Sequence, residues 1–282
     1  MSDILPVHLQ FHGLPHMSTS QLPDNANDGG RRGGQAMSPA PASRLLCGMA
    51  AIFAAVSLQA ADAGSPRGGR FGWARLVTPG KNWNLHVEED PVLASFIRDQ
   101  TGLNIDRTTY ASDPSNLAQL CTYPLVFTNN IYQVTNPAAQ RNLAEYAHRG
   151  GFIWVDFCHN LGGAGQTPGK FDLFFDETAA WFAKVFPRAQ LRALPSSHAI
   201  YRSYFAIDLP VLWSRTDRWP WVSRHGMYGV FEDGKMVALV GLCAVMCMWK
   251  SDPATIITER KRLGANILVY AMTRSAALDA KP

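Results

Sequence analysis

One stretch, residues 136–160, reads NPAAQRNLAEYAHRGGFIWVDFCHN and narrows the possible folds more than any other part of the chain. Asn136 has the side-chain oxygen that caps a helix, and Pro137 suits the first helical position, where no N–H is needed. Leu143, Tyr146 and Ala147 share one face, and Gly150-Gly151 stops the helix. Phe152, Ile153, Trp154 and Val155 follow as a short apolar run rich in β-branched and aromatic residues. That pattern predicts a strand covered on both faces. Polar residues arrive only at its end, so Asp156, Cys158 and His159 fall just beyond the carboxyl end of a strand, where open parallel sheets bind ligands.

The chain on either side repeats this alternation. Residues 71–78 (FGWARLVT) suit a strand, Asp90-Pro91 opens a helix that Gly102 closes, and residues 103–110 suit a second strand. Asp113-Pro114 starts a short helix to Leu120, and residues 123–128 (YPLVFT) form a third strand ending in Asn129-Asn130. After the central strand a loop, LGGAGQTPGK, leads to an amphipathic helix over residues 171–186. The loop lacks dinucleotide and P-loop spacing, and Pro168 removes a donor. Residues 191–194 suit a brief strand. Residues 227–232 and 235–242 flank Asp233-Gly234, a hairpin signal, and Asp252-Pro253 opens a last helix reaching Met272. Strand and helix in alternation predict an α/β fold with a mostly parallel, doubly wound sheet.

The first 63 residues differ. Residues 1–43 are rich in Gly, Pro, Ser, Asn and Gln and cannot bury enough apolar surface to fold alone. Arg44 then precedes LLCGMAAIFAAVSL, a core too short to span a bilayer comfortably, and Ala61-Asp62-Ala63 supplies a small-x-small cleavage pattern. The expected organisation is a disordered extension with a secretory signal peptide over residues 1–63, then one α/β domain over residues 64–282. Met37 is then a plausible initiator. Export to the periplasm or cell envelope follows, with the membrane touched only through an uncleaved signal. Cys121, Cys158, Cys243 and Cys247 remain in the mature chain and are expected as mostly unpaired, buried thiols, because their neighbours are apolar. A balance of 26 basic and 22 acidic residues is too even to argue nucleic-acid binding.

The ordered set YPLVFTNN, LAEYAHRGGFIWVDFCHN, SHAIYRSYF and LGANILVYAMT resembles a bacterial family of unknown function, family 4159, across about residues 71–273. The resemblance implies a flavodoxin-like, class I glutamine amidotransferase-like three-layer sandwich. It brings no established activity, implies no cofactor, and suggests an envelope protein partner. This chain departs from the family where Asn129-Asn130 replaces a common Gly-His, where Phe157 replaces the second of two Asp, and where Ala199 follows His198.

An amidotransferase needs a cysteine on a glycine-flanked elbow and a later histidine as base. Gly241-Leu242-Cys243 comes nearest, yet no histidine follows His225, so the usual triad order is absent; Cys158 has His198 and His225 after it. Asp156, His159 and His198 are candidates for a general base or a metal at the sheet's carboxyl edge, and a structural role in hydrogen bonding is the alternative for each. Asn129 and Asn130 are candidate ligand contacts on the same edge. The loop with Trp213, Trp219, Trp221 and Arg224 suits either a binding surface for sugar rings or packing over the core. The leading expectation is a non-catalytic binding or interaction module. A hydrolase built on Asp156, His159 and His198, with or without a metal ion, and a carbohydrate-binding module are the alternatives.

Overall fold

The computed structural model describes residues 70–80, 82–158, 168–212, 226–242, 245–246 and 254–274. Its strands are β1 (Ala74–Leu76), β2 (Tyr110–Ser112), β3 (Leu125–Thr128), β4 (Phe152–Asp156), β5 (Gln190–Ala193), β6 (Met227–Glu232) and β7 (Lys235–Gly241). They form one sheet in the order β2-β1-β3-β4-β7-β6-β5. The first five in that order are mutually parallel, while β6 runs antiparallel to both β7 and β5. The helices are α1 (Asp90–Thr101), α2 (Leu117–Leu120), α3 (Pro137–His148), α4 (Pro168–Val185), α5 (Leu209–Leu212) and α6 (Ala254–Thr273).

Local chemistry accounts for most boundaries. Asn136 Oδ1 accepts the N–H of Ala138 at 2.8 Å and of Ala139 at 3.4 Å, so α3 begins where its cap stands. Gly102 closes α1 in the left-handed conformation, φ 69°. Asp233 and Gly234, at φ 50° and 76°, make the tight turn between β6 and β7. Gly151 has a different reason to lack a side chain: a Cβ there would collide with the Tyr146 ring.

Every residue of β4 is buried, because helices cover both faces of the sheet. On one face Phe127, Trp154 and Leu239 join Leu93 and Ile97 of α1 and Leu263 and Ile267 of α6 in one core. On the other face Val126, Ile153, Val155 and Val240 join Leu143 of α3 and Trp181 and Phe182 of α4. The Trp181 indole N–H also donates to the Val134 carbonyl at 2.8 Å, tying α4 to the turn after β3. Trp73 belongs to the first core, and Trp83 is half-buried in a loop.

Three expectations need correction. The second strand lies at Tyr110–Ser112, not at residues 103–110: Ile105 makes one bridge to Phe71, and then Asp106 Oδ1 accepts the Thr108 N–H at 3.0 Å, a turn that interrupts the ladder. The following helix starts at Leu117, capped by Asn116, because Asp113 Oδ1 accepts the Ser115 N–H at 2.8 Å and holds residues 113–115 in a turn. Cys121 is exposed rather than buried, since it stands in the turn after α2; Cys158 is buried as expected. Cys243 and Cys247 lie outside the described residues.

Candidate functional site at the carboxyl edge of the sheet

Two strand ends build the site. Asp156 is the last residue of β4 and is completely buried, with its Oδ2 accepting the Met246 N–H at 2.9 Å. Its backbone carbonyl accepts from Asn129 Nδ2 at 3.0 Å, which fixes the side chain of the residue following β3. Two buried acceptors here have no partner among the described residues: Asp156 Oδ1 and Asn129 Oδ1. Each such atom carries a desolvation cost that a ligand donor or an ordered water would offset. Gly241, paired with Asp156 in the β4–β7 register, leaves room for Oδ1, since a Cβ there would stand 2.6 Å from it.

Burial is the main influence on Asp156 and pushes its carboxyl well above the usual range; the Met246 N–H, the Arg260 charge and, more weakly, the Val245 N–H oppose the shift, and the nearby Cys158 adds to it. The site is therefore one where a carboxyl group holds a proton more readily than in water.

The neighbouring asparagine plays a different part. Asn130 Oδ1 accepts the Thr78 hydroxyl at 2.7 Å and the Thr128 hydroxyl at 3.3 Å, while its Nδ2 donates to Gln133 Oε1 at 3.0 Å. It ties the carboxyl ends of β1 and β3 across the point where the strand order reverses. Asn130 is thus a structural knot, and Asn129 is the residue of the pair with acceptor capacity to spare.

A third layer has no counterpart among the residues that the sequence singles out. Arg75, in the middle of β1, is fully buried, and its Nε and Nη2 grip Asp90 Oδ2 and Oδ1 at 2.7 and 2.6 Å. The same guanidinium donates to the carbonyls of Leu85 (2.7 Å) and His86 (3.1 Å) and touches Met246 Sδ at 3.4 Å. Asp90 keeps a raised pKa, because its desolvation outweighs the Arg75 hydrogen bond and charge. Met246 therefore connects this ion pair to Asp156. The signal available in the sequence was a lone arginine between Ala74 and Leu76 in a strand whose two faces are both covered.

His198 does not join this cluster. Its Nδ1 accepts the Ile200 N–H at 3.2 Å, capping the 3-10 turn Ala199–Arg202, and its ring packs against Phe231 and Tyr270. Tyr270 in turn packs on Phe152, the first residue of β4. That strand is roughly 13 Å long from Phe152 to Asp156, so His198 stands towards the other end of the sheet. The burial of its ring, helped by Arg202 and Arg192, lowers its pKa to about 4. Cys158 is buried two residues beyond Asp156. His159, Trp213, Trp219, Trp221 and Arg224 lie outside the described residues, and no group of three or more metal-binding side chains occurs among the described ones.

Fold and edge together define a mostly parallel α/β domain with a buried polar cluster at the carboxyl ends of its strands. Within that class, the chain belongs to the family described as Domain of unknown function (DUF4159), whose profile matches residues 73–272. No curated protein matches the chain.

Proposed function

We propose that the protein is a binding module whose ligand seats at the carboxyl edge of the sheet and offers hydrogen-bond donors to Asp156 Oδ1 and Asn129 Oδ1. The observation that carries this reading is the pair of buried acceptors on adjacent strand ends that have no partner among the described residues. An ammonium, amide or hydroxyl group on the ligand has the required chemistry. The separation of His198 from Asp156 weighs against the hydrolase alternative that needs both. The parallel strands β2-β1-β3-β4-β7 follow the order of flavodoxin-like sheets, which supports the amidotransferase-like scaffold. The apolar run over residues 45–58 and the Ala61-Asp62-Ala63 pattern support export, with an envelope protein as the natural partner.

A thermal-shift screen of the full chain against amino acids, amino sugars and short peptides tests the site. At least one compound class should raise the unfolding temperature of the parent and leave Asp156→Asn and Asn129→Leu unmoved. Equal shifts in parent and variants would sink the reading, as would amide or glycoside hydrolysis that disappears in Asp156→Asn.

A further inference from the structure

We propose a second ligand site, for small polyanions bearing phosphate or carboxylate groups, in a cleft at the amino end of the sheet. The cleft has a volume of about 400 Å³ and is lined by Arg70, Arg98, Asn104, Asp106, Arg107 and Thr108, among others. That volume suits a small molecule.

The backbone holds these residues together. Phe71 bridges Ile105 in parallel register, with its N–H on the Asn104 carbonyl at 3.2 Å and the Asp106 N–H on the Phe71 carbonyl at 2.8 Å. Arg70 is thereby placed beside residues 104–107, and Arg98 reaches the same cleft from the last turn of α1.

Charge is unbalanced here. Among the described residues three guanidinium groups face one carboxylate, and Asp106 is already engaged: Oδ1 takes the Thr108 N–H at 3.0 Å and Oδ2 takes the Tyr110 hydroxyl at 2.7 Å. Those two bonds hold its pKa below the usual carboxylate value, so it stays ionised. The ion pair of Arg98 is with its exposed neighbour Asp99, at 3.6 Å. The cleft therefore keeps a surplus of positive charge in a chain whose overall balance is nearly even. All three cations are arginines, whose planar forks match carboxylate and phosphate oxygens two at a time. Because the arginines are exposed, binding should weaken as salt screens them. The cleft lies at the start of β1, away from Asp156, and the two sites are independent.

Isothermal titration of the full chain with sodium pyrophosphate and, separately, with citrate at low ionic strength tests the proposal. The expected result is saturable binding of at least one probe, at least tenfold weaker in the Arg98→Gln/Arg107→Gln double variant and intermediate in Arg107→Gln. Unliganded circular dichroism and melting should stay as in the parent, and Asp156→Asn should bind the probe normally. A preference for pyrophosphate marks a phosphate site and a preference for citrate a carboxylate site. Absence of saturation with both probes, or undiminished binding by the double variant, overturns the proposal and leaves the ions adventitious.

Discussion

Arg75 and Asp90 face each other through two parallel hydrogen bonds, 2.7 and 2.6 Å long, in a place from which water is almost excluded. Removing one partner leaves an uncompensated buried charge, so Arg75→Met or Asp90→Leu should each cost about 3–5 kcal/mol. Replacing both together should cost much less than the two single changes added. A double-mutant cycle by urea unfolding measures the coupling; single losses below about 1 kcal/mol would show that the pair is not anchoring the edge.

Asp156→Asn should be neutral or stabilising at pH 7, by up to about 2 kcal/mol, because the amide oxygen still accepts the Met246 N–H while no charge need be buried. The pH dependence has a definite sign. An unfolded Asp156 releases its proton near 3.8, whereas the folded carboxyl keeps it to a higher pH. Through that window the folded state binds more protons, so Asp156 contributes stability at low pH that is lost as pH rises through its folded value. Unfolding midpoints taken from pH 4 upward should show this downward contribution in the parent and lack it in Asp156→Asn.

His198 should act on the acid side in the opposite sense. Its unfolded pKa is 6.5 and its folded value about 4, so the unfolded chain takes up a proton first as pH falls. Stability is lost as pH drops from 6.5 through 4, by about 2 kcal/mol, the exposed Arg192 and Arg202 being partly screened. His198→Asn keeps an acceptor for the Ile200 N–H and should flatten this limb. His198→Ala should also lose the cap, costing about 1 kcal/mol more. Acid unfolding followed by circular dichroism distinguishes them, and an unchanged acid limb in His198→Asn would refute the assignment.

Gly241→Ala should push a methyl group into Asp156 Oδ1, since the two atoms would stand 2.6 Å apart. A cost of about 1–3 kcal/mol is expected from overpacking, together with loss of the ligand response found in the parent. Unfolding and thermal shift on the same sample read both effects. A variant with parental stability and parental ligand response would show that Oδ1 has more freedom than its position implies.

The parts of the fold that were legible in the sequence are those set by neighbouring residues. Asn136 and Pro137 announce α3, Asp233-Gly234 announces the hairpin, and the apolar run of β4 announces burial on both sides. Alternation places β2 too early in the chain, because a single side chain, Asp106, captures the Thr108 N–H and ends the ladder after one bridge. The site was half legible. Asp156 ends β4 and Asn129 directly follows β3, so topology brings them together. Arg75, Asp90 and Met246 are separated by long stretches of chain, and nothing local in any of them indicates the other two. His198 shows the converse, a polar residue whose surroundings turn out to be Phe231 and Tyr270.

Among the described residues the sheet begins at β2 and ends at β5, strands of three and four residues. The longer β6 and β7 are held inside, paired on both sides. A border this short offers another chain too few backbone groups to copy, and Arg192 on β5 places a charge over the Phe231 ring at 3.9 Å beside it. Strand-by-strand growth into aggregates is thus discouraged at both borders, even though the interior consists of segments that would stack readily if exposed.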